Sequence, residues 1–117
     1  VQAVGEHVNG LSMTNAISAA VSQDGSLLFN GQPRGICGDA IRSASLQQVQ
    51  MFRTILTEIS PEQTTRLTEI MGVGGISAEQ HVQDYLDAGA TAVGMATAAM
   101  LEPMTALHIR RQRAERT

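Results

Sequence analysis

The chain contains no lysine: all eight cationic residues among its 117 are arginines. No site it carries can draw on a lysine amine. Its one cysteine, Cys37, excludes an internal disulfide framework and fits a reducing compartment, and so a cytoplasmic protein. No apolar run approaches the roughly 18 residues that a membrane span needs, so no integral membrane segment is expected. A charged n-region followed by an apolar h-region is also missing. The chain nonetheless opens on Val1 rather than Met, which reads as an internal start with sequence upstream. His7, His81 and His108 are scattered and no Cys/His spacing supports them, so no metal site is expected. The formal net charge of -3 argues against a nucleic-acid surface.

What remains is an ordinary globular composition, 43% apolar and 16% charged, enough for one domain with one core. Arg110, Arg111, Arg113 and Arg116 crowd the end of the chain and read as a solvated helix end whose cations complement the helix dipole.

Two stretches carry the signature of a capped helix. Ser60-Pro61-Glu62-Gln63 offers a capping serine, a proline at the first helical position and a glutamine to close the box, predicting a short helix to about Leu67. Ser77-Ala78-Glu79-Gln80 repeats the pattern, with Val82, Tyr85 and Leu86 following at helical spacing and Gly89 where a C-terminal cap belongs. Residues 67–71 and 91–95 are apolar enough for short buried strands. Leu46, Val49, Phe52, Ile55 and Leu56 mark another amphipathic helix, and Pro103 begins a last one with Met104, Leu107 and His108 on one side. Asp24-Gly25 and Asn30-Gly31 suggest a hairpin excursion within residues 22–38, and a further strand is expected around residues 3–8. Strands alternating with helices imply βαβ units and a parallel sheet. The count matches about half of an eight-stranded barrel, which takes roughly 250 residues. Such a half would expose open sheet edges, so it needs a missing N-terminal half or self-association.

Three glycine elements could carry chemistry. Gly72-Val73-Gly74-Gly75-Ile76 lies between a strand and a capped helix, where glycines let backbone N–H groups approach an anion. Gly94-Met95-Ala96-Thr97-Ala98 follows one βα unit later, and Thr97 adds a hydroxyl. Loops after consecutive strands are the usual phosphate site of (β/α)8 barrels. The third element, Gly35-Ile36-Cys37-Gly38-Asp39-Ala40-Ile41, precedes the Leu46 helix. Within it Cys37 reads as a small buried residue and Asp39 as a cap or turn acceptor. Asp84 and Asp87 share a wet helix face with no second carboxylate pair opposite.

Together, GICGDAI, the amphipathic helix, IMGVGGIS and DAGATAVGMATAA resemble the C-terminal barrel half of dihydroorotate dehydrogenases, from about Val8 to Arg111. The resemblance implies an α/β fold, the C-terminal half of a (β/α)8 TIM barrel with parallel strands, residues 1–117 forming one half-barrel domain. It implies FMN as cofactor, its phosphate held at Gly74, Gly75, Ala96 and Thr97, with Gly38 a further flavin contact. Family members usually have glycine at Ala96. It also implies a substrate-contacting asparagine, at a position that falls on Asn9 or Ser12. The implied reaction oxidises the small molecule dihydroorotate to orotate in pyrimidine biosynthesis. The catalytic base and the lysines that serve it would lie upstream, so no catalytic residue is assigned here and the chain should be inactive alone. Two other readings stay open: a different phosphate-binding barrel enzyme, or a freestanding half barrel that self-associates as a binding module.

Overall fold

The structure is a computed structural model and describes residues 1–14, 16–59 and 65–116. At its centre is a parallel sheet in the order β1-β6-β7, with β1 Gly10–Met13, β6 Glu69–Val73 and β7 Ala92–Gly94. Parallel neighbours cannot be joined by a tight turn. The chain therefore passes through helix α1 (Arg42–Thr57) between β1 and β6, and through α2 (Glu79–Asp87) between β6 and β7. A short helix α3 (Thr97–Leu101) and a longer α4 (Thr105–Arg116) close the chain. Consecutive βα units on one parallel sheet are the arrangement of part of a (β/α)8 barrel.

Between β1 and α1 runs the excursion expected from the turn residues. The strand β2 (Ile17–Ala19) pairs antiparallel with β5 (Arg34–Ile36), and β3 (Ser22–Gln23) with β4 (Ser26–Leu27), closed by Asp24 and Gly25 at φ 50° and 79°. Both turn residues adopt the left-handed region that such a hairpin requires.

One face of the sheet is covered. Ile70 of β6, Val49 of α1, Val82 and Tyr85 of α2 and Ile109 of α4 share a single buried cluster, with Met13 and Val93 packed against it. The opposite face stays open: Ser12, Met71 and Ala92, aligned by strand register, are all exposed. That alternation of covered and open residues follows from the two-residue period of a strand.

The strand expected at residues 3–8 is a series of turns, closed by bonds such as Gly5 N–H to the Val1 carbonyl at 2.7 Å. The helix start at residues 60–64 lies outside the described residues, and residues 65–68 form no helix. The capping box at Ser77 does not form: α2 begins after Ala78 with no side-chain cap. At its other end Gly89 (φ 108°) caps as expected, with Gly89 N–H bonding Leu86 and Ala90 N–H bonding Tyr85. The inward residue of α4 is Ile109, not the Met104 face.

Candidate functional site

Three loops meet at the C-terminal ends of the strands. The chain leaves β5 through Cys37 into a 3-10 turn, Gly38–Ile41, that feeds α1. It leaves β6 through Gly74 and Gly75, and β7 through Met95 and Ala96 into α3. Gly38, Gly74, Gly75, Ala96 and Thr97 all line one cavity of about 240 Å³ between these loops. The sequence brings them together from positions 59 residues apart because parallel strands put all βα loops at one end of the sheet.

The glycine loop after β6 needs its glycines. Gly74 sits at φ 140° and Gly75 at φ 66°. A Cβ on Gly75 would lie 2.7 Å from the Arg42 Cβ and 2.9 Å from the Gly38 carbonyl oxygen, and one on Gly74 3.0 Å from the Ser45 Cβ. Either substitution combines backbone strain with a clash.

Three successive carbonyls of this loop are held by side chains. The Ser45 hydroxyl donates to the Val73 carbonyl at 2.5 Å, the Tyr85 hydroxyl to the Gly74 carbonyl at 2.7 Å, and the Arg42 Nη1 to the Gly75 carbonyl at 2.7 Å. Among the described residues, the N–H groups of Gly75 and Ile76 have no hydrogen-bond partner. Tyr85 and Ser45 are fully buried, and burial holds the Tyr85 hydroxyl above its ordinary pKa, against smaller opposing pulls from Ser45 and Arg42. Unpaired N–H donors beside a cavity form a site for an anion's oxygens. Nothing in the sequence marks Ser45 or Arg42, and the helical spacing of Tyr85 gives no sign that its hydroxyl reaches a loop carbonyl.

The other candidates lie elsewhere. Cys37 is exposed rather than buried and stands at the edge of the cavity, its Sγ 3.5 Å from the Thr97 hydroxyl. Asp39 accepts from the Arg42 guanidinium at 3.1 Å and from the Ser77 hydroxyl at 3.4 Å, side-chain partners rather than the backbone of a turn or helix end. Ser12 lies on the open sheet face in a separate cleft with Glu69, Met71 and Ala92. Asn9 stands at the opposite end of β1, its carbonyl accepting from Thr68 and Glu69. Asn15 follows Thr14 directly in the chain and lies outside the described residues. No cluster of three metal-ligating side chains occurs among the described residues, and no described helix is long and apolar enough to cross a membrane.

The sequence profile described as dihydroorotate dehydrogenase matches residues 2–116. Among curated proteins, the chain is 32% identical over 100 residues to the "Dihydroorotate dehydrogenase" of Dictyostelium discoideum, covering 86% of this chain and 25% of that protein. It is 29% identical over 110 residues to the "Dihydroorotate dehydrogenase B (NAD(+)), catalytic subunit" of Staphylococcus carnosus (strain TM300), covering 92% of this chain and 33% of the relative. A protein of the same description from Malacoplasma penetrans (strain HF-2) is 27% identical over 103 residues, covering 86% and 30%. The chain thus spans a quarter to a third of the length of these relatives.

Proposed function

This chain belongs to the dihydroorotate dehydrogenase family, and from that premise we propose that it is the FMN-phosphate-binding part of a dihydroorotate dehydrogenase-like oxidoreductase. The observation that carries this reading is the convergence of Gly38, Gly74, Gly75, Ala96 and Thr97 on one cavity, beside two N–H groups with no partner among the described residues. The donor set fits a phosphate monoester, whose oxygens only accept: backbone N–H groups and the Thr97 hydroxyl donate, and no carboxylate lies among them except Asp39, which Arg42 neutralises. When bound, FMN supplies the hydride acceptor for oxidation of dihydroorotate to orotate. The chain's own residues grip and orient; they hold no group suited to take the substrate proton.

The substrate side belongs at the C-terminal ends of the strands. Asn9 directly precedes β1, at the other end of the sheet. Ser12, within β1 on the open face of the sheet, keeps the proposed substrate contact. The open face formed by Ser12, Met71 and Ala92 supports a missing N-terminal half as the partner that completes the domain of which residues 1–117 form the C-terminal half. The exposed, unpaired Cys37 supports a reducing, cytoplasmic setting.

The test compares FMN with riboflavin, which lacks the phosphate, by quenching of flavin fluorescence on the purified protein. FMN binds more tightly by roughly tenfold or more, one to two charge-assisted hydrogen bonds. Gly75→Ala removes that preference by strain and clash at φ 66°. Equal affinity for the two flavins in the wild-type protein would sink the reading.

A further inference from the structure

We propose that Tyr85 and Arg42, backed by Ser45, act as a carbonyl clamp that aims the loop's N–H groups at the bound phosphate, a positioning role for the cofactor in addition to their packing. The inference rests on the phosphate reading above and adds what gives the loop its shape.

In a trans peptide the C=O and the following N–H point in opposite directions across one plane. Fixing the carbonyl of Gly74 therefore fixes the N–H of Gly75, and fixing that of Gly75 fixes the N–H of Ile76. In an extended chain successive carbonyls alternate sides. Here the Val73 carbonyl accepts both the Thr14 N–H at 3.1 Å and the Ser45 hydroxyl, whereas the Gly74 and Gly75 carbonyls are held by the side chains of Tyr85 of α2 and Arg42 of α1. The left-handed backbone at Gly74 and Gly75 is what lets neighbouring peptides turn the same way. Left without their carbonyls as alternatives, the cavity side of the loop presents only donors.

The three side chains are placed to act as one unit. Tyr85 is fully buried with its hydroxyl in the interior, and its ring lies against Gly72, where a Cβ would collide with it. Ser45 is also fully buried, one helical turn from Arg42, whose guanidinium also reaches Asp39 at 3.1 Å and His81 Nδ1 at 3.5 Å. Each pair joins elements distant in sequence, so the loop's geometry depends on how both helices pack. A helix-facing tyrosine whose hydroxyl ends on a loop carbonyl serves that loop; phenylalanine would fill the core equally well.

The measurement is the ratio of FMN to riboflavin affinity in Tyr85→Phe, Ser45→Ala, Arg42→Met and Arg42→Lys, with amide shifts of Gly75 and Ile76 followed on adding inorganic phosphate. Tyr85→Phe is expected to lower FMN affinity by roughly tenfold, the order lost when outer-shell partners of a bound ion are removed, with riboflavin affinity unchanged. Ser45→Ala, the smallest change, shifts the ratio the same way, and Arg42→Lys retains it while Arg42→Met does not. If wild type prefers FMN and Tyr85→Phe and Ser45→Ala keep the full ratio, the clamp is wrong and the phosphate site stands. A variant that loses both flavins alike marks a purely structural role and overturns the clamp. A wild-type protein that does not discriminate between the flavins overturns both proposals.

Discussion

Tyr85 joins the core to the candidate site through one bond, and the physics of that bond is testable without any ligand. Its ring is fully buried, and its hydroxyl donates to the Gly74 carbonyl at 2.7 Å. Burial raises its pKa from the ordinary 10.0, because the phenolate would lose its solvation. The unfolded chain ionises near the ordinary value and the folded one later. The unfolded state therefore releases its proton first, and stability, full below pH 10.0, falls as pH rises through the raised folded pKa. With one tyrosine and no tryptophan in the chain, near-ultraviolet tyrosinate absorbance reads this residue alone. Titration at the ordinary value with no alkaline loss of stability would contradict the buried donor. In Tyr85→Phe the alkaline dependence should vanish, at a cost of about 1–3 kcal/mol for the orphaned carbonyl. The glycines of this loop were legible in the sequence because glycine at a strand-to-helix turn has few other reasons to recur. The side chains that hold their carbonyls were not, because each bond spans 11 to 33 residues and forms only after the helices dock.

Among the elements, α4 is fastened to α2 by charge as much as by Ile109. Glu79, in the first turn of α2, is buried and accepts from Arg113 at 2.9 Å and from Arg116 at 2.7 Å. The terminal arginines that read as a solvated helix end are thus in part an anchor. The sequence could not separate these, since arginines at a helix C-terminus satisfy the dipole whether or not a carboxylate lies opposite. The bond is asymmetric: Glu79 is 8% exposed, whereas Arg113 and Arg116 are 34% and 62% exposed. Glu79→Gln lets two half-wet cations return to water and should cost about 1 kcal/mol. Removing both arginines leaves a carboxylate in the interior and should cost about 2–3 kcal/mol. Urea denaturation of the three proteins gives the order directly; equal costs would mean the carboxylate is not desolvated. Strand β1 shows the opposite failure of sequence reading. Gly10–Met13 has no β-branched residue and is a strand because β6 pairs with it, whereas the valine-bearing residues 3–8 have no strand partner among the described residues.

At the scale of the whole molecule, the chain has the shape of a slab. Its extents are 53 × 40 × 19 Å and its radius of gyration 16.7 Å, against ~13 Å for a compact domain of this length. It exposes 7716 Å², against about 6,100 Å² expected for a folded monomer of its mass. The alternation of strands and helices made the parallel sheet legible in the sequence, and the short length made it legible that the sheet could not close. Where the excess surface lies follows from register: Ser12, Met71 and Ala92 share the face that no helix covers, and Met71 is 40% exposed at its centre. A face of this kind is stable when another layer of strands covers it. The protein should therefore run in size-exclusion chromatography above its 12.4 kDa, with a co-purifying barrel segment or with a second copy of itself, and intact mass separates those two. Met71→Glu places a charge at the centre of the covered face and should return the protein to a less stable monomer. The 12.4 kDa species at every concentration, with stability indifferent to Met71→Glu, would mean that the sheet tolerates water on this face and that nothing completes the barrel.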